Sequence, residues 1–130
     1  MDWLDNIIKT FFDFDAMWQV FPQLLGTGLV NTLVISVWAT VIGIVLGMVV
    51  AIMGISKTRW LRWPARVYTD VFRGLPAILT ILLIGQGFAR LSQQLFGPSP
   101  YPLGILALSL IASAYIGEIF RAGIQSIARG

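Results

Sequence analysis

The chain has 130 residues, 57% of them hydrophobic and 12% charged, with a formal net charge of +3. A soluble domain carries about 25% charged residues, so this is the composition of a membrane protein, and its length favours one compact helical unit over several domains. Cysteine and histidine are both absent, which excludes disulfides, thiolate nucleophiles, cysteine or histidine metal sites and Ser-His or Cys-His dyads.

Residues 1–23 form an acidic, aromatic segment, MDWLDNIIKTFFDFDAMWQVFPQ. It has neither the basic start nor the short apolar core of a cleavable signal peptide. It is expected to be an external, interfacial N-terminal piece closed by Phe21 and Pro22. From Ala16 to Ser56 there is no charged residue. About 20 apolar residues cross a bilayer, so this stretch holds a first span over about 29–54, with Gly26, Thr27 and Gly28 marking its start. The connector 57–73 follows, carrying Lys57, Arg59, Arg62, Arg66 and Arg73 against Asp70 alone; it is expected to be a cytoplasmic loop. Its basic residues lie beside apolar spans, and membrane orientation accounts for them better than a lipid or nucleic-acid site.

The uncharged run from Gly74 to Ala89 would reach only about 24 Å as a helix. A second span is therefore expected to extend over about 74–95. FGPSPYP, from Phe96 to Pro102, is dense in turn formers. A third span is expected over about 103–120. Lysine and arginine near span ends mark the cytoplasmic side. That rule puts the N-terminus outside, the 57–73 connector inside, the Gly97 turn outside, and Arg121 and Arg129 inside. No internal repeat or low-complexity tract is visible.

The first span has a face of small residues: Gly28, Thr32, Ser36, Ala39, Thr40, Gly43, Gly47, Ala51 and Gly54. Val34, Val37, Val41, Ile44, Val45, Met48 and Ile52 lie opposite. Small residues let helix backbones approach closely in lipid, so Gly43 and Gly47 are expected at a helix-packing contact within the subunit, a subunit interface being the alternative. No ionisable residue lies deep in this span, which argues against a proton-coupled exporter or an intramembrane aspartyl protease. Asn31, Gln86, Ser109, Ser113 and Tyr115 are the polar groups that could line a pathway, although such groups more often bond between helices than contact a substrate. GISKT at Gly54 to Thr58 lacks the glycine spacing of a phosphate-binding loop, so any ATP is hydrolysed by another chain. Glu118, Arg121, Gln125 and Arg129 fall on one helical face, with Ile116, Phe120, Ile124 and Ile127 opposite. This is the amphipathic inner end of the third span, with Glu118 and Arg121 an i,i+3 pair that could also engage Arg73.

Three stretches resemble the membrane permease subunits of ABC-type importers for polar amino acids: LLGTGLVNTLVIS (Leu24 to Ser36), YTDVFRGLPAILTILLI (Tyr68 to Ile84) and AYIGEIFRAGIQSIARG (Ala114 to Gly130). Phe72, Arg73, Gly74 and Pro76 match one family motif. Glu118, Arg121, Gly123, Ile124 and Ile127 match the other, with Gly117 where alanine is usual and Ala122 where glycine is usual. The resemblance implies an all-α polytopic protein of the type I ABC importer permease fold, with residues 24–130 contributing three of its roughly five spans. In that family an E-A-A-containing coupling helix and two further spans follow the position of Gly130, so the chain is expected to be a fragment of such a subunit, a truncated gene product being the alternative.

The resemblance further implies a second permease subunit as homo- or heterodimer, cytoplasmic ATP-binding subunits that use the ATP, an extracytoplasmic solute-binding protein and residence in the cell's inner membrane. It implies no cofactor bound by this chain, no enzymatic activity of its own and no nucleic acid. The function it points to is a pathway-forming, alternating-access permease. A small structural subunit of a membrane complex and an ion channel are the rivals.

Overall fold

The computed structural model describes residues 2–127, which form helices joined by short connectors and no strand. Arg129, expected on the polar face of the third span, and Gly130 lie outside the described residues. The chain divides into two compact units, one up to Val34 and the other from Ile35 on.

The first unit contains α1 (Asp2–Phe11), α2 (Phe14–Gln23) and the first residues of α3 (Leu29–Ile55). Trp3, Leu4, Ile7, Ile8 and Phe11 recur at helical spacing along α1 and are all exposed, the pattern of a helix that lies in a membrane interface. Asp13 begins α2 by accepting the backbone N–H of Ala16 at 3.0 Å, which satisfies one of the free donors of a helix start. Pro22 was expected to close this segment, yet the chain stays helical past it. The backbone then widens into one π-helical turn at Leu24–Gly28, closed by the Leu29 N–H on the Leu24 carbonyl. Thr32 Oγ1 then donates to the Gly28 carbonyl at 2.9 Å.

The second unit is organised around α7 (Tyr101–Ser126), against which α4 (Arg59–Gly74), α5 (Ala77–Gly87) and α6 (Ala89–Phe96) pack. The Gly43 and Gly47 face of α3 also meets α7. Its buried residues are almost all small: Ala39, Gly43, Gly47 and Ala51 on α3, Ala65 and Thr69 on α4, Ala107, Ser109, Ser113, Ala114 and Gly117 on α7. The large apolar side chains, such as Val37, Trp38, Val41, Val45 and Ile52, face outward. This inverts the arrangement of a soluble core. Lipid tails solvate leucine and valine as well as protein does, so helices associate through the close fit of small residues instead.

The helices α3 and α7, of 27 and 26 residues, are each about 40 Å long and apolar enough to cross a bilayer. The middle of the chain differs from its expected outline. The connector expected as a loop over 57–73 is mostly the helix α4, because its arginines recur at helical spacing and make one charged face. The span expected over 74–95 is divided. At Gly74, Leu75 and Pro76 the chain turns by 107° between α4 and α5. Leu75 is extended (φ −80°, ψ 139°), as the residue before a proline must be. Pro76, lacking a donor itself, opens α5 by accepting from the N–H groups of Leu79 and Thr80. α5 is about 16 Å long, too short to cross a bilayer by itself. α6 ends at Gly97, whose φ of +75° is a left-handed conformation that glycine adopts without strain. The turn expected between Phe96 and Pro102 lies there.

Candidate functional site

The motif residues converge where α4 crosses α7. Glu118 accepts from Arg121 Nη2 at 2.8 Å, and Arg73 Nη1 approaches the same carboxylate oxygen at 4.0 Å. Arg73 also lies over the ring of Tyr115, 5.5 Å from its centroid, within reach of a cation–π attraction. Arg121 extends the line to Gln125 Oε1 at 3.4 Å. One carboxylate therefore serves two guanidinium groups, one from its own helix and one from the end of α4 just before the 107° elbow. The expected i,i+3 pair and the engagement of Arg73 are both present as contacts.

The second clasp between these helices lies five residues earlier on α4. Tyr68 Oη is 2.6 Å from Ser113 Oγ and 3.2 Å from the Leu110 carbonyl, while Ser113 Oγ is 2.8 Å from that carbonyl. Two hydroxyl protons serve three contacts, so one hydroxyl donates to the carbonyl and the other donates to the first hydroxyl. Tyr68 also meets Phe72, ring centroids 4.7 Å apart. Sequence reasoning passed over Tyr68. The signal was present, since Ala65, Tyr68, Thr69 and Phe72 share one face once 59–74 is read as a helix.

The small-residue stripe meets α7 at van der Waals limits. A Cβ on Gly43 would come within 3.0 Å of Ala112 Cβ. One on Gly47 would come within 3.1 Å of Gly117 N, Ser113 O and Ile116 Cγ2. Both glycines thus sit at a packing contact within one chain. Ser36, Thr32 and Thr40, on the same expected face, are exposed.

Beside these contacts is a cleft of about 210 Å³ between α3, α4 and α7, with Ala51 and Ala65 at its base and Arg66, Asp70, Glu118 and Arg121 around it. Among the described residues no group of histidine, cysteine, aspartate or glutamate could hold a metal ion. The groups present are ion-pairing and hydrogen-bonding ones, suited to holding helices together and to contacting polar solutes.

The other expected residues are spread out. Ser113 and Ser109 are fully buried, and Ser109 Oγ donates to the Ile105 carbonyl at 2.6 Å. Tyr115 and Gln86 are exposed, and Asn31 is half-buried in the first unit. Gly123 is exposed near the end of α7, and the space around Gly74 is open. Phe72 is half-buried and Pro76 exposed at the elbow.

Residues 43–130 match the family model of the binding-protein-dependent transport system inner membrane component. The glutamate/aspartate import permease protein GltK of Escherichia coli O6:H1 is 41% identical over 127 residues, covering 92% of this chain and 55% of the relative. The arginine transport system permease protein ArtQ of Bacillus subtilis is 39% identical over 118 residues, covering 91% of this chain and 52% of the relative. A crystal structure of an amino acid ABC transporter with histidines superposes with a TM-score of 0.72 at 33% identity, covering 87% of this chain and 51% of that one. The chain spans about half the length of the curated relatives it matches.

Proposed function

Since this chain belongs to the family of binding-protein-dependent transport system inner membrane components, we propose that it is part of the permease subunit of an ATP-driven importer of polar amino acids. The observation that carries this reading is the 41% identity to a glutamate/aspartate import permease over nearly the whole chain. Another relative is named for arginine transport, so polar amino acids as a class, rather than one of them, is what the similarity supports.

In this reading the chain supplies pathway wall and packing surface, and makes and breaks no covalent bond. ATP is hydrolysed by cytoplasmic partner subunits, a solute-binding protein delivers the amino acid from outside, and a second permease subunit completes the pathway. The solute passes by alternating access. The N-terminus lies outside and the Lys57–Arg73 segment inside, on the excess of basic residues in that segment. Asn31, Gln86 and Tyr115 face the solute in this scheme. Ser113 has its hydroxyl committed to Tyr68 and Leu110 and acts in packing.

Phe72, Arg73, Gly74 and Pro76 set the elbow between α4 and α5, and Glu118, held in place by Arg121, ties that elbow to α7 through Arg73. When one permease half moves relative to the other, such a clasp makes α4, the elbow and α7 travel together. Gly123 keeps the outer face of α7 slim, near the end of the described residues.

The test is uptake of radiolabelled amino acids into proteoliposomes that contain the full-length subunit with its ATP-binding and solute-binding partners. ATP-dependent accumulation is expected, together with reduced uptake or assembly for Arg73→Ala and Glu118→Ala. Full uptake at normal subunit levels in both variants would remove the assigned role of the clasp. An ATP-independent ionic conductance would favour the channel reading.

A further inference from the structure

We propose that the first half of α4 carries a binding site for an anionic phospholipid, with Arg59, Arg62 and Arg66 holding the headgroup phosphate and Trp60 and Trp63 flanking the acyl chain. Only Ser56, Lys57 and Thr58 separate the end of α3 at Ile55 from the start of α4 at Arg59. Four Cα–Cα steps of about 3.8 Å each allow at most about 15 Å. The first turn of α4 therefore stays at the same membrane boundary where α3 ends, whichever side of the membrane that is.

At about 100° per residue, α4 has three faces. Ala65, Tyr68, Thr69 and Phe72 turn toward α7, with Ala65 and Thr69 buried. Arg59, Arg62, Arg66, Asp70 and Arg73 form one charged line. Between them runs an exposed apolar strip of Trp60, Trp63, Val67 and Val71, with Trp60 89% and Trp63 66% accessible. Membrane orientation alone accounts for arginines anywhere in this connector. It does not account for their alignment beside two exposed tryptophans, the side chains that favour the headgroup level of a bilayer.

Two hollows meet on this surface. One, of about 300 Å³, is lined by Arg59, Arg62, Trp63 and Arg66. The other, of about 600 Å³, is mostly apolar and is lined by Arg59, Trp60, Trp63 and Pro64. Arg59 and Trp63 line both, so a cationic hollow lies directly beside an apolar one. That sequence of environments fits a lipid: a phosphate on guanidinium donors, then a hydrocarbon chain against indole. Among the described residues the ion pairs of Glu118 go to Arg73 and Arg121. Asp70, four residues beyond Arg66, makes no ion pair with it. With Asp70 as the single carboxylate on this line, the face of Arg59, Arg62 and Arg66 keeps a net positive charge.

The test uses the chain in phosphatidylcholine bilayers with Trp3, Trp18, Trp38 and Trp60 replaced by phenylalanine, leaving Trp63 as the fluorophore. Quenching by brominated phosphatidylglycerol is compared with quenching by brominated phosphatidylcholine. The anionic lipid is expected to be preferred at Trp63 by on the order of tenfold, since clustered basic residues at a membrane surface attract anionic headgroups. Arg59→Gln, Arg62→Gln and Arg66→Gln together should bring the preference close to unity, while the corresponding lysine variants keep most of it. Should the glutamine variant fail to fold, the lysine variant and a fall in preference with added salt decide the matter. Equal quenching by both lipids, no quenching by either as expected under a covering protein partner, or a preference that survives the glutamine changes would each overturn the proposal. Loss of the preference in millimolar inorganic phosphate would assign the arginines to a free anion and overturn it as well.

Discussion

Tyr68 and Ser113, 45 residues apart in sequence, bring their hydroxyl oxygens to 2.6 Å of each other. Both lie on helices that, by composition, had no reason to be paired. The contact fixes the rotation of α4 about its own axis, with Ala65 and Thr69 against α7, Arg73 beside Glu118, and the tryptophans turned outward.

Tyr68→Phe removes one of the two protons that serve the Tyr68, Ser113 and Leu110 contacts. It should lower the stability of the detergent-solubilised chain by about 0.6–1 kcal/mol, the range for a hydrogen bond between membrane helices. Ser113→Ala should cost a similar amount. The double variant should cost less than the sum, read by thermal or denaturant unfolding as a double-mutant cycle. Strict additivity would mean that the two hydroxyls do not act on each other.

Gly47→Ala places a methyl group 3.1 Å from the Gly117 nitrogen and the Ser113 carbonyl oxygen. These are backbone atoms that cannot rotate away. The overpacking penalty of about 1–3 kcal/mol should outweigh the helix-propensity gain of about 1 kcal/mol for replacing glycine, so the chain loses stability. Gly85→Ala, with no atom within 4 Å of the added carbon, should be neutral or stabilising in the same unfolding experiment. Equal effects at the two positions would mean that α3 and α7 are not in close contact.

Double-mutant cycles at Glu118 should separate its two partners. The pair with Arg121 at 2.8 Å should couple by about 0.3–0.5 kcal/mol, as expected for a helical ion pair in contact with solvent. The pair with Arg73, at 4.0 Å and with the arginine 45% exposed, should couple by less, and added salt should erase it first. A larger coupling to Arg73 than to Arg121 would show that the clasp between helices, not the pair within α7, dominates.

Reporter fusions at Arg62 and Gln94 test the orientation proposed from the basic residues. Arg62 should report the cytoplasmic side and Gln94 the external side. Finding Arg62 outside would reverse the orientation, while leaving the helix packing untouched.

Much of the architecture is legible without coordinates. The uncharged stretch 29–54 announces α3, and the run after Tyr101 announces α7, because lipid solvates a helix only where about 20 consecutive residues are apolar. The spacing of Glu118 and Arg121 is enough to expect their pair. The helix α4 was not legible in the same way. A reading that treats arginine as a mark of loops between spans overlooks that Arg59, Arg62, Arg66 and Arg73 keep helical spacing. Tyr68 was hidden for the same reason, since its importance depends on which face of α4 meets α7.

What the sequence determined by itself is the solvent of this protein, its helical class and its family resemblance, since these rest on composition, local periodicity and short motifs. The tertiary structure decided which faces meet. A stripe of small residues is compatible with many partners, and only the fold places Gly47 against Gly117 and Ser113. The F-R-G-L-P stretch likewise calls for a break in the helix. The 107° turn, and with it the meeting of Arg73 and Glu118, follows from packing between segments some 45 residues apart, which no local pattern encodes.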